Sequence, residues 1–568
     1  MWFVSFSKAN CKNCYACVRV CPVNAIEVKN EQAQIIKERC IVCGKCFKSC
    51  PQNAKVIRTE KNLIKKYLET EKNVVVSVAP SFAATFASNS NKIPTALRNL
   101  GFNFVEQTIV GVEPIIEQYK IYADKDDNNS YITSFCPSVN SLIQKHYPNL
   151  IKNLIPVVSP SVCHGRLIKK KYGHDTKVVF IGPCIAKKTD SHDEDSIDAV
   201  LTFEELEKWL KVENINLSEL EESKFDDNDE DKALSPIVGE LTKQIKEKKI
   251  KRKVINVDGI EGCIEILEAI DDGKFKNTLI EMSSCRHSCI GGSGMPDDDI
   301  SCYERIENLK DYSVGLSISD KKDKEPYLKD IEINKNFESL NIPLQVPTEE
   351  EIKGILNSMG KYAKKDELNC GSCGYKSCRD KVVAVYNGMA EKNMCVPFMR
   401  QKSENIKNVL FDTTPNLVII IDKELDIIQI NPAAEKFFNI EKGKVEGLPV
   451  IMFLEEEIFN KVKNNKRNIY KEKVELLQNN ATVIQSVIWL ENNQVMIWIA
   501  DDITKNEQID KKHKKMKMDA ITMTQEVINK QMTVAQEIAS LLGETTAETK
   551  VTLTRLKNLI QEEEVSKS

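Results

Sequence analysis

The sequence predicts a multidomain chain in which α+β modules stand beside an α/β block. Three observations lead there. The chain has 568 residues, more than one hydrophobic core supports. Twelve of its 19 cysteines gather in tight groups near the two ends of a long middle segment. Between those groups, the apolar runs Val74–Val78 and Val178–Ile181 alternate with helical stretches such as Ile93–Leu100 and Phe203–Val212. That alternation is the signature of buried parallel strands with crossover helices. Composition shifts divide the chain at 1–60, 61–365, 366–400, 401–504 and 505–568.

Composition narrows the function classes. Hydrophobic residues make up 41% and charged residues 29%, the balance of a soluble globular protein. Net charge is −4 with both signs interspersed, so no nucleic-acid partner is expected. No stretch of about 18 apolar residues occurs, so no membrane span is expected. The apolar start, Met1 to Phe6, is too short for a signal peptide, and a cytoplasmic location is expected. In a reducing compartment, cysteines at Cys-x2-Cys spacing favour metal ligation over disulfides.

Residues 1–60 carry Cys11-x2-Cys14-x2-Cys17-x3-Cys21-Pro22 and then Cys40-x2-Cys43-x2-Cys46-x3-Cys50-Pro51. Each run is the bacterial ferredoxin pattern, in which the fourth cysteine ligates the other cluster. Three thiolates on one tight loop can cap three corners of an Fe4S4 cube, and the fourth must come from elsewhere. Cys11, Cys14, Cys17 and Cys50 are therefore assigned to one [4Fe-4S] cluster, and Cys40, Cys43, Cys46 and Cys21 to the other. A zinc ribbon is the competing reading, but zinc sites rarely need three cysteines at this spacing.

The 61–365 block holds Cys136, Cys184, Cys285 and Cys289 in loops that follow apolar runs. The segments are Tyr131-Ile132-Thr133-Ser134-Phe135-Cys136-Pro137, Phe180-Ile181-Gly182-Pro183-Cys184-Ile185-Ala186-Lys187-Lys188, and Glu281-Met282-Ser283-Ser284-Cys285-Arg286-His287-Ser288-Cys289 followed by Ile290-Gly291-Gly292-Ser293-Gly294. The small residues after Cys289 suggest close backbone approach to a bulky cofactor. Lys187 could project a cation toward an anionic ligand. In this order, behind a two-cluster module, the segments resemble the active-site motifs of [FeFe]-hydrogenases.

The resemblance implies that Cys136, Cys184, Cys285 and Cys289 hold the cubane of an H-cluster. Cys289 would also bridge to a diiron subsite carrying CO and cyanide ligands. Lys187 matches the lysine that hydrogen-bonds a cyanide, and Ala79-Pro80-Ser81 resembles a further active-site loop. Catalytic positions are thus implied at Cys289, Lys187 and Asp190, and cofactor-binding positions at Ser81, Pro183 and Ser283. The sequence also departs from the pattern. Phe135 stands where turnover hydrogenases place a proton-donating cysteine, and it has no transferable proton. The family's methionines fall on Gly182 and Ser283, and its glutamate on the shorter Asp190. An alternative is a single cubane without the diiron subsite, as in assembly-factor relatives. Cys163, Cys263 and Cys302 read as buried structural thiols. His164 and His287 read as packing or surface residues. The polar run Ser223 to Asp231 reads as a surface loop.

Residues 366–400 contain Cys370-x2-Cys373-x4-Cys378-x16-Cys395, a further [4Fe-4S] candidate that would make four in all. The stretch resembles the small iron–sulfur module of corrinoid-protein and hydrogenase-linked signalling proteins, which implies an electron exit or redox gauge. From Ile406 to Thr504 the pattern resembles a PAS domain, with strands at Val418–Ile421, Ile427–Ile430, Val483–Trp489 and Val495–Ile499 and a helix opened by Asn431-Pro432. The region has no cysteine, and its nearest histidine, His513, lies beyond it, so a ligand-free relay is expected. The tail, rich in Lys, Glu, Met and Leu, predicts a long helix or helical hairpin suited to homodimerisation. Its segment Gln536–Lys550 resembles linkers ahead of phosphatase domains. The expected function is a sensory hydrogenase-like protein, at most a slow enzyme for H2 = 2 H+ + 2 e−. Its expected partners are H2 and protons, an electron carrier such as ferredoxin, and a separate kinase or phosphatase. The competing functions are a catalytic ferredoxin-coupled hydrogenase and a non-catalytic iron–sulfur electron-transfer protein.

Overall fold

The computed structural model describes residues 4–6, 10–190, 195–227, 236–246, 252–315, 331–440, 444–491, 494–542 and 550–558. The chain forms two compact units, Met1–Met399 and Arg400–Ser568.

The first unit begins with a small pseudo-repeated module. Strand β1 (Val4–Phe6) pairs antiparallel with β4 (Lys55–Ile57), and β2 (Ile26–Lys29) with β3 (Gln32–Ile35). Asn30 and Glu31 both take positive φ between β2 and β3, which gives the tight turn that matches strand twist. Each Cys-x2-Cys-x2-Cys loop ends in a one-turn helix, Ala16–Val20 or Lys45–Lys48, which leaves the fourth cysteine just past the helix.

Two parallel sheets build the block behind it. The larger has the order β6-β5-β8-β9, formed by β5 (Val74–Val78), β6 (Phe104–Gln107), β8 (Lys177–Gly182) and β9 (Ala199–Thr202). The smaller has the order β10-β11-β7, from β7 (Tyr131–Ile132), β10 (Lys253–Asp258) and β11 (Thr278–Ser283). All five residues of β5 are buried, as expected for a β-branched strand covered on both faces. The helix Phe203–Val212 starts at a capping box in which Thr202 and Glu205 satisfy each other's backbone N–H. Every hydrogenase-like motif leaves the carboxyl end of one of these parallel strands, where open α/β sheets place their ligands.

Ser223–Asp227 is exposed or half-buried, as a surface loop should be, but it is anchored to the fold. Phe225 packs edge-on against buried Phe82 at 5.1 Å between centroids. Backbone bonds tie Asp226 to Val105 and Gln107 to Asp227, so this stretch extends the edge of β6. Apolar Phe225 and two carboxylates with cationic partners outweigh the polar composition. The remainder of the run, 228–231, lies outside the described residues.

In the second unit the sheet order is β13-β12-β16-β15-β14. Its strands are β12 (Leu417–Asp422), β13 (Ile427–Ile430), β14 (Ile469–Leu476), β15 (Ala481–Leu490) and β16 (Val495–Asp502), all paired antiparallel. Inward residues of β12, β15 and β16 alternate with half-buried ones, and the fully buried Trp498 fills the core. The tail is one helix, Thr504–Leu542, and not a hairpin over the described residues. Helix resumes at 550–558, and the 543–549 part of the linker-like segment lies outside the described residues.

Candidate functional site

Three cavities are each lined by four cysteines. One is walled by Cys21, Cys40, Cys43 and Cys46, a second by Cys11, Cys14, Cys17 and Cys50. The short helices after each loop swing Cys21 and Cys50 across to the opposite group. The third is walled by Cys370, Cys373, Cys378 and Cys395, with Cys378 opening the helix Cys378–Tyr386. Among the described residues no three His, Cys, Asp or Glu side chains are arranged to hold a single metal ion. A lone ion needs its sulfurs about 2.3 Å from one point, whereas a cube is gripped at its corners and spreads its ligands wider.

The fourth set lies in the α/β block. Cys136 caps the helix Pro137–His146, and Cys184 precedes the turn Ile185–Thr189. Cys285 follows β11, and Cys289 sits in the turn Ser288–Gly291. The structure brings these four together. Ser284 Oγ lies 3.7 Å from Cys136 Sγ and 3.9 Å from Cys285 Sγ. Cys289 interacts electrostatically with Cys184, Cys136 and Lys187. Burial, followed by these neighbouring sulfurs, pushes the Cys285 and Cys289 thiols up to about 12.

Lys187 and Asp190 form the polar wall. Lys187 Nζ donates to Ser161 Oγ at 2.8 Å and to Asp190 Oδ2 at 3.0 Å. Asp190 Oδ2 also accepts from Ser159 at 2.8 Å and Ser161 at 3.2 Å. Ser81 Oγ and Ser283 Oγ, at the carboxyl ends of β5 and β11, are buried without a hydrogen-bond partner. Two orphaned hydroxyls beside converging thiols and a lysine fit a polar inorganic group.

One expectation, a buried Cys302, changes. The glycines after Cys289 also serve the chain's own packing: a Cβ on Gly292 would meet Pro183 O at 2.3 Å. Pro183 thereby seats the loop, its carbonyl accepting from Gly294 N at 2.7 Å. Cys302 is only half-buried, while Cys163 and Cys263 are buried. His287 is half-buried against Tyr303, with ring centroids 5.0 Å apart.

The first unit also joins the cavities. Gly44, at φ +76°, lies where a Cβ would meet Ser293 Cβ at 2.4 Å, so only glycine lets the Cys43 loop seat beside the Cys289 loop. Cys285 interacts electrostatically with Cys43. On the other side Tyr375 is influenced by both Cys373 and Cys21, and Val28 N donates to Met389 O at 3.0 Å.

Four parts of the chain match known families. Residues 72–293 match the family described as iron only hydrogenase large subunit, C-terminal domain. Residues 10–62 match a 4Fe-4S dicluster domain, 366–397 a putative Fe-S cluster family, and 405–473 a PAS domain. The chain is an [FeFe]-hydrogenase-like iron–sulfur protein with a PAS domain. Iron hydrogenase 1 of Clostridium pasteurianum is 26% identical over 312 residues, 42% of this chain and 53% of that protein. NADP-reducing hydrogenase subunit HndD of Solidesulfovibrio fructosivorans is 26% identical over 355 residues, 50% of this chain and 56% of that protein. The chain thus spans about half the length of these curated relatives. A solved structure of the [FeFe]-hydrogenase HydA1 from Chlamydomonas reinhardtii aligns at 18% identity with a TM-score of 0.40, over 50% of this chain and all of that one. No helix among the described residues is long and apolar enough to cross a membrane.

Sequence reasoning passed over Glu106 and read His164 as a packing or surface residue, whereas Ser77, His164 and Glu106 form a buried polar chain. The helix that carries His164 also bears Arg166, Lys169, Lys170 and Lys171, so no periodic signal singled that histidine out.

Proposed function

We propose that this protein is a sensory hydrogenase: a slow H2-reactive centre whose redox state passes through iron–sulfur clusters and a PAS domain to a separate output protein in the cytoplasm. The observation that carries the proposal is Phe135 beside Cys136. A ring without a transferable proton adjoins a site that otherwise has converging thiols, a half-buried lysine and two orphaned hydroxyls.

In this reading Cys136, Cys184, Cys285 and Cys289 hold a cubane, and Cys289 reaches onward to the diiron subsite. Lys187, Ser81 and Ser283 supply donors to that subsite's CO and cyanide ligands. When bound, the group supplies the reversible splitting of H2 into two protons and two electrons. The chain's residues do the rest. Asp190 and Ser161 orient the Lys187 ammonium, and the apolar packing around Phe135 excludes water. Cys21, Cys40, Cys43 and Cys46 hold the cluster next in line, and the Cys11 and Cys370 groups hold two more, four cubanes in all. A soluble electron carrier such as ferredoxin completes the exchange. The tail helix exposes Ile509, Met516, Met523, Val527, Val534 and Ile538, a surface suited to homodimerisation and to a kinase or phosphatase partner.

Anaerobically matured protein tests the proposal. Infrared bands of metal-bound CO and cyanide are expected, together with H2 turnover orders of magnitude below that of metabolic hydrogenases. Absent bands would leave an electron-transfer protein. Fast reversible turnover would make it a catalytic hydrogenase.

A further inference from the structure

The cavity walled by Cys370, Cys373, Cys378 and Cys395 is also lined by Lys361, Lys381 and Tyr375, and all three are buried. Local structure fixes each of them. Lys381 stands three residues after Cys378 on the helix Cys378–Tyr386, a spacing that puts both side chains on one face. Its Nζ donates to Glu391 O at 2.7 Å and lies 5.9 Å from the centre of the Tyr375 ring. Lys361 follows the helix Glu349–Ser358, where Gly360, at φ +68°, turns the chain. Gly360 N donates to Asn357 O and Lys361 N to Leu356 O, both at 3.0 Å, the paired bonds that close a helix end. Lys361 Nζ then donates to Asp366 O at 2.5 Å, so both ammoniums are seated on main-chain carbonyls. The adjacent carboxylates are turned to backbone amides: Glu391 accepts from Asn30 N at 2.6 Å, and Asp366 from Ala363 N at 2.8 Å. The Tyr375 hydroxyl is buried with no hydrogen-bond partner among the described residues.

We infer that Lys361, Lys381 and Tyr375 raise the reduction potential of the Cys370 cluster and so make it an electron store for the H2 site. The inference rests on the proposed function, in which these four cysteines hold a [4Fe-4S] cluster. Buried ammoniums and an orphaned phenol are costly unless they face an anion or an acceptor. A cube bound by four thiolates is a net anion in either redox state and supplies both. Lys381 interacts electrostatically with Cys373 and Cys395, Lys361 with Cys370, and Tyr375 with Cys373. On reduction one electron enters the cube, and no bond or proton need change. The added negative charge then lies beside two fixed positive charges in a wall shielded from water, where charges interact more strongly than at the surface. A phenol that donates toward a sulfur bonds more strongly as that sulfur gains charge. All three groups therefore favour the reduced cube, and electrons released from H2 collect there.

The test uses the full chain with its cubanes loaded, titrated with dithionite at set potentials and followed by electron paramagnetic resonance. Cys373→Ser shows which signal belongs to this cluster, because that signal and about one cubane of iron should be lost. If iron and spectra stay unchanged in Cys373→Ser, no cube is held there, and the cluster reading falls together with the inference. With the cluster in place, Lys361→Met and Lys381→Met should each lower its reduced-to-oxidised ratio at a fixed potential by about tenfold or more. For one electron that is a midpoint about 59 mV lower. The Cys11 cluster should keep its midpoint in both variants. Ratios within twofold of wild type in both overturn the inference while leaving the cluster reading intact. If a lysine variant holds less iron, Tyr375→Phe, which removes one hydroxyl, decides: a lowered midpoint supports the inference and an unchanged one overturns it.

Discussion

Phe135 packs against both large apolar clusters of the α/β block, so its ring contributes packing as well as withholding a proton. Phe135→Cys removes much of that contact and is expected to cost about 2–4 kcal/mol, by analogy with large-to-small core changes. It also places a thiol next to Cys136. H2 release should rise at least tenfold while the thermal midpoint falls. Unchanged release would mean that the proton route is limited elsewhere. A second residue gives a pH signature. Burial, then the nearby Arg39 and Lys145 charges, lower His146 to about 4, against a hydrogen bond to Arg39 O that favours the charged ring. The folded chain therefore holds this ring neutral where the unfolded chain begins to protonate it. Its contribution is present above pH ~6.5, erodes as pH falls and is lost through pH ~4. With discounting for partial exposure this is on the order of 2 kcal/mol. His146→Gln should flatten the fall in urea stability between pH 7 and 5, and an unchanged slope would assign that fall to other groups.

Among the elements, the PAS helix Pro432–Phe438 is the best case of local sequence dictating structure. Asn431 Oδ1 accepts from Val418 N at 2.9 Å and Ala434 N at 3.0 Å, while its amide donates to Phe411 O and Asn416 O. One buried side chain thus caps a helix, starts β12 and ties down the incoming segment. Asn431→Ala should destabilise the PAS domain by about 2–4 kcal/mol, measurable by urea titration of the full chain through Trp498 fluorescence. Asn-Pro before an apolar helix was legible, and so were β5 and β8, whose apolar runs are buried on both faces. The two-residue β7 was too short to show any period, and β10, with only half-buried or exposed residues, lacks an apolar run. The cysteine groups were legible because most of each group lies on one short loop, and three of the groups each line a cavity. The Ser77–His164–Glu106 chain was not, because its members come from three elements, 87 and 58 positions apart. Hydrogen bonds between distant polar residues leave no periodic trace.

At the scale of the first unit, the order of the four cysteine groups follows from its seams. Gly44 seats the Cys21–Cys46 group beside the Cys285–Cys289 loop, and Tyr375 and Met389 join the Cys370 group to the other side of the same module. If each cysteine group holds a cluster as proposed, the Cys43 group is the neighbour of the H2 site and the expected first stop for electrons bound for the Cys11 and Cys370 groups. The exposed Cys14 and Cys370 put the outer groups within reach of a soluble carrier. Cys43→Ser tests this order. In wild type, H2 should reduce every cubane, seen as electron paramagnetic resonance signals. In the variant, iron should fall by about one cubane per chain and the infrared bands should persist. The Cys11 and Cys370 clusters should then stay oxidised under H2, yet still accept electrons from added dithionite. Reduction of those outer clusters by H2 at the wild-type rate would show that electrons leave by another face, and the seam at Gly44 would then serve packing alone.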